Sequence, residues 1–149
     1  MNRLAIAASA AALALAADAQ AFEVYTDYMP SKEVWNVTMV NVNPNRLDDY
    51  LEGLKQTWWN GCEIGKKLGT VLECGIYWSE TAANRDFNMF LVMKFPSAAG
   101  SDPDPELFKK FQAEVRAQLE EAKEDQLVKG YEEFRTFFGE QNFRRIEFK

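Results

Sequence analysis

The sequence predicts an α+β domain in which a four-stranded antiparallel sheet carries helices on one face. Two observations lead there: its apolar patterns follow the order strand, helix, strand, strand, helix, strand, and several strands are apolar on both sides. A chain of 149 residues is long enough for one real core and short for two. Residues 22–149 are therefore read as a single domain that follows a leader over residues 1–21.

The elements are justified in order. Glu33–Val42 (EVWNVTMVNV) is rich in Val, Thr and Trp and ends at Asn43-Pro44, which reads as a strand. Asn43 caps the next helix and Pro44 fits its first position. From Arg46 to Leu68 the residues Leu47, Tyr50, Leu51, Leu54, Trp58 and Leu68 recur at three- and four-residue steps, the mark of an amphipathic helix, and Gly69 ends it. Thr70–Trp78 and Asp86–Phe95 are the second and third strands, joined as a hairpin by SETAANR. The loop PSAAGSDPDPE starts another helix, with Asp102 or Asp104 as cap and a proline just inside. Its stripe of Phe108, Phe111, Val115, Leu119 and Ala122 loses phase near Glu124, where Leu127, Tyr131, Phe134 and Phe138 begin a second. Two helical pieces with a bend are expected, the second stopped by Gly139. Asn142–Phe148 (NFRRIEF) closes the chain as the fourth strand.

This is the element order of the ferredoxin-like split βαβ unit, βαββαβ. One sheet face should then be wet, yet Phe87, Met89, Leu91, Met93 and Phe95 alternate with Phe90 and Val92 in the third strand. In the first strand Trp35, Val37 and Met39 likewise oppose Val34 and Val40. No element is spare to cover the second face, so a homodimer joined through the sheet is expected.

The leader, MNRLAIAASAAALALAADAQA, has an early positive charge at Arg3, an apolar run from Leu4 to Ala17 and a closing Ala19-Gln20-Ala21. That is the pattern of a signal peptide, with cleavage between Ala21 and Phe22. The run falls short of the roughly 20 residues that span a bilayer, so a periplasmic or secreted product without a membrane anchor is expected. A net charge of −6 with scattered Lys and Arg argues against nucleic acid as a partner. The chain has no histidine, which excludes Ser-His-Asp and Cys-His catalysis, His-ligated haem and the usual zinc or facial-triad iron sites built from this chain alone. No metal or cofactor is expected.

The pattern resembles the dimeric α/β-barrel superfamily over Glu33 to Lys149. The likeness rests on the element order, on VNVNPNRLDDYLEGLKQTW leading the first strand into its helix, and on the closing run YEEFRTFFGEQNFRRIEF. It implies two ferredoxin-like subunits pressing their sheets together. It also implies kinship with antibiotic-biosynthesis monooxygenases that need no cofactor, lactone isomerases and stress-responsive barrel proteins. The haem-degrading members use a histidine that this chain lacks.

Candidate site residues concentrate in TWWNGCEIGKKLG, Thr57 to Gly69. At 100° per residue Trp58, Gly61 and Gly65 share the arc of Leu47, Leu51 and Leu54, while Trp59 lies outside it beside Lys55, Glu63 and Lys66. Trp58 is either core packing or the wall of a cavity between helix and sheet. Gly61 and Gly65 each cost a helix roughly 1 kcal/mol against alanine, and in return they admit either close approach to the sheet or a ligand. Cys62, at the margin of this arc, and Cys74, in the next strand, stand at similar distances from the turn at Gly69. They form a disulfide or remain two buried thiols. Asn36, Thr38, Tyr77, Arg85 and Asn88 are the polar residues on or beside strands that could touch a ligand, and the resembled monooxygenases rely on Asn, Trp, Tyr and Arg in an apolar cavity. The acids of SDPDPE read as helix caps. The function expected is binding of a small apolar or aromatic ligand, with a cofactor-independent monooxygenase or isomerase and a purely structural, partner-binding role as the alternatives.

Overall fold

The computed structural model describes residues 21–79 and 87–149. The expected leader, apart from Ala21, and the candidate Arg85 lie outside the described residues. The chain runs as β1 (Tyr28–Pro30), β2 (Val34–Val42), α1 (Leu47–Leu54), a π-helical turn (Lys55–Trp59), α2 (Asn60–Lys67), β3 (Glu73–Trp78), β4 (Met89–Phe95), α3 (Pro105–Arg116), α4 (Glu121–Phe134), β5 (Arg135–Phe143) and β6 (Ile146–Phe148). Local chemistry sets several of these boundaries. The Asn43 side chain accepts from the Asn45 amide, and Asp104 accepts from the amides of Glu106 and Leu107 with Pro105 opening α3. Gly69 ends the first helical region at φ +75°, the left-handed conformation that glycine adopts without a Cβ penalty.

The sheet has the order β3-β4-β2-β5 with every neighbour antiparallel, the ferredoxin-like arrangement expected from the element order. Val40, Val42, Met89 and Leu91 face the helices and form the core with Tyr50, Leu54 and Tyr131. The register puts Trp35, Val37 and Met39 on the opposite face, beside Phe90 and Val92 of β4 and Phe143 of β5.

The C-terminal third departs from expectation. The fourth strand is Arg135–Phe143 and not Asn142–Phe148, and helix α4 stops at Phe134. Phe138 matches the apolar spacing of α4, but Thr136, Phe137 and Phe138 are β-formers and pair with β2 instead. Gly139 is consequently not a helix stop. It sits in the strand at φ +149°, where the pairing shifts between Met39 and Val40 and leaves Phe138 as the extra residue of a bulge. Ile146–Phe148 leaves the main sheet and pairs with Tyr28–Pro30 in a separate two-stranded ladder. The bend between α3 and α4 falls over residues 117–120, ahead of Glu124, and Phe108, expected in the core, is 62% exposed.

Candidate functional site

The first helical region does not keep one phase. At Lys55–Trp59 the backbone widens into a π turn, which inserts extra chain into the helix and recurs at functional sites. Thr57 and Trp58 both lie in this turn. They line a cleft of about 910 Å³ that runs between α2, the end of β4 and the α3–α4 pair. Its walls are apolar: Trp58, Met93, Phe95, Phe111, Leu119 and Val128 all contribute.

The two buried-arc glycines do different things here. A Cβ on Gly65 would stand 2.6 Å from Val71 Cγ2, so glycine is what lets α2 close onto the residues that follow it. A Cβ on Gly61 would meet only Phe111 Cζ at 3.5 Å, an ordinary contact across the cleft. Gly65 is thus a close-approach device, whereas Gly61 keeps the cleft open. Trp59 turns the other way, into a smaller depression of about 580 Å³ beside Lys123 and Glu63, with Lys66 Nζ 5.5 Å from its ring centroid.

At the inner end of the cleft the Thr57 and Tyr131 hydroxyls share a short hydrogen bond. Thr57 Oγ1 also donates to the Gly53 carbonyl at 2.9 Å. Behind them the Tyr50 and Tyr131 rings meet edge to face with centroids 5.3 Å apart, and Arg135 Nη1 donates to the Tyr50 hydroxyl at 2.7 Å. Arg135 lies over both rings, 5.6 Å from Tyr50 and 5.1 Å from Tyr131. Burial pushes both phenols above their ordinary value, against the opposing pull of Arg135. Both tyrosines are therefore neutral at physiological pH.

Of the polar and aromatic candidates among the described residues, the structure brings only Trp58 to the cleft. Asn36 lies on the helix side of β2, next to Met93 in register, but its amide donates to Glu140 at 2.6 Å and to Asn142 at 3.1 Å on β5. Thr38, two residues on, is opposite Leu91 and Glu140. Asn88 is buried and wholly committed to the backbone of Val42, accepting from its amide and donating to its carbonyl at 2.8 Å each. Tyr77 is on the far face of the sheet, 55% exposed, with its ring folded over Gly75. Cys62 and Cys74 are joined in a disulfide with Cα atoms 6.5 Å apart, which ties α2 to β3. Thr57, Phe111 and Tyr131 were absent from the candidates although they stand in the cleft. Tyr131 belonged to an apolar stripe and Thr57 adjoined Trp58, yet nothing in helical spacing announces a π turn.

No known protein-family model and no curated protein matches the chain. Among solved structures it is similar to HapK from Hahella chejuensis, with 13% identity and a TM-score of 0.46 over 75% of this chain and 91% of that one. It is also similar to a dimeric ferredoxin-like protein from an uncultured marine organism (16% identity, TM-score 0.43, 78% and 88% covered). A NIPSNAP family protein of unknown function from Agrobacterium tumefaciens gives 13% identity and a TM-score of 0.39 over 78% and 89%.

Proposed function

We propose that the protein is an exported carrier or binder of a small apolar or aromatic molecule, held in the cleft between α2 and the α3–α4 pair. The observation that carries this reading is the cleft itself. It is of about 910 Å³, within the range of small-molecule sites, and has the apolar walls and few convergent polar groups that such sites share. Export rests on the leader pattern. A second copy is the proposed cover for the open sheet face, on which Trp35, Val37, Met39, Phe90 and Val92 line up; apolar patches of this kind mark association surfaces.

The test is a titration with N-phenyl-1-naphthylamine, an uncharged apolar fluorophore. One saturable site per chain is expected, weakened at least about tenfold by Gly61→Trp, which fills the gap in front of Phe111. Circular dichroism of that variant checks that it folds. A linear, non-saturating response would overturn the reading. A native mass spectrum of the same sample is expected to give twice the chain mass, and a monomer at micromolar concentration would remove the second copy.

A further inference from the structure

The polar groups at the Tyr131 end of the cleft can be sorted by proton count, and the charged residues of its lining are of one sign. A threonine hydroxyl has one proton to give. Thr57 Oγ1 donates its proton to Gly53 O, so its bond with Tyr131 is made at the same time only if the Tyr131 hydroxyl is the donor. The Tyr131 proton is then spent, and its oxygen is left with acceptor capacity alone. Thr70, farther along the wall, likewise donates to Gly65 O at 3.1 Å. The charged residues that line the cleft are Asp102, Asp104 and Glu124; among the described residues neither Lys nor Arg lines it. Asp104 is occupied as the cap of α3, and Glu124 is bridged to Arg116 at 2.6 Å. Arg135, which lies over the Tyr131 ring, donates its Nη1 to Tyr50, and neither Arg135 nor Tyr50 lines the cleft. The amides of Gln56 and Asn60 and the indole N–H of Trp58 are the remaining side-chain donors on the lining.

We infer that the ligand of this cleft is a hydrogen-bond donor with an apolar or aromatic body, an amine or other N–H compound that is neutral or cationic at its polar end, and that carboxylates are excluded. This rests on the ligand-binding reading above. An N–H directed at the Tyr131 oxygen finds an acceptor without displacing any bond in the network. A carboxylate in the same place meets the Tyr131 oxygen with its proton already given to Thr57, and a lining whose charged residues are all acidic. Burying a carboxylate with no cation to pair it is strongly unfavourable.

The experiment compares three probes with one ring system by calorimetry on the full chain: 1-naphthylmethylammonium, 1-methylnaphthalene and 1-naphthoate. The expected order is ammonium tightest, by about tenfold over the hydrocarbon, which is the gain of one charge-assisted hydrogen bond, and naphthoate weakest. Tyr131→Phe keeps the ring and removes the acceptor, so the ammonium advantage should shrink at least about threefold while hydrocarbon binding stays. Naphthoate binding as tightly as the ammonium, or an advantage untouched by Tyr131→Phe, overturns the acceptor assignment but leaves the cleft as a ligand site. Absence of saturable binding by all three overturns the ligand-binding reading and this inference with it.

Discussion

Two halves of one helix-sheet layer use the same residue types, yet only one is filled. Under α1, where the C-terminal half of α4 packs on it, the layer is filled: Tyr50, Leu54, Val40 and Met89 are fully buried, and Gly53 lets the Tyr131 ring pack to within contact of α1. Between α2 and the α3–α4 pair the layer parts into the cleft, and the lining side chains Phe108 of α3 and Val128 of α4 are left 62% and 48% exposed. The π turn marks the border between the halves. It rephases the helix so that Trp58 and Thr57 close one half and line the other. Apolarity alone therefore does not decide whether a helix-sheet layer is solid; backbone phase and one missing side chain at Gly61 do.

The largest expected effect sets the two halves against each other. Leu54→Ala removes a side chain from the filled half and should cost about 2–5 kcal/mol, the usual range for a buried leucine with a residual cavity. Phe111→Ala removes a larger side chain from the wall of a space that is already open. Its cost should fall below that of Leu54→Ala, despite the range of about 3–5 kcal/mol typical of buried phenylalanines, while probe binding is lost. Urea denaturation of both variants checks the order. A Phe111 variant as unstable as the Leu54 variant would mean that the α2–α3 half is core.

The same contrast explains what could be read from the sequence. Strands β2 and β4, the Asn43 and Asp104 caps and the Gly69 stop are local signals, each set by a few neighbouring residues, and they survive into the fold. Strand β5 was misplaced because Phe138 continues the spacing of Tyr131 and Phe134, and only pairing with β2 reveals that Gly139 supplies a bulge. The arc holding Trp58, Gly61 and Gly65 was legible, but the opposite roles of the glycines depend on Val71 and Phe111, which approach from other elements. Asn88 looked like a ligand contact because its type and strand position do not disclose that Val42 consumes its amide. The Cys62–Cys74 pairing was one of two alternatives, because the Cα separation of 6.5 Å depends on how α2 packs beside β3 and not on any local signal.

The two glycines provide the next test. Gly65→Ala forces a Cβ against Val71 and should destabilise by about 1–3 kcal/mol, as overpacking does. Gly61→Ala makes an acceptable contact and gains the helix propensity of alanine, so it should be neutral or stabilising by up to about 1 kcal/mol. Opposite signs in thermal unfolding are the expected outcome, and equal losses would show that both positions are close-packed.

The smallest effect concerns the phenols at the border. Well below about pH 10, Tyr131 is protonated in the folded and unfolded chain alike and contributes no pH dependence. Its folded value is raised by burial, so above about pH 10, the ordinary tyrosine value, the unfolded chain loses its phenolic proton first and the folded state is progressively disfavoured. Tyr50, raised by burial in the filled half, acts in the same direction. Stability should therefore be flat from pH 8 to the onset of phenol ionisation and then fall, and Tyr131→Phe should make that fall shallower than in the parent. Urea midpoints measured across this range decide the matter. An unchanged slope in the variant would mean that the Tyr131 hydroxyl is as hydrated in the folded chain as in the unfolded one, against the burial that the Thr57 hydrogen bond and the Gly53 contact describe.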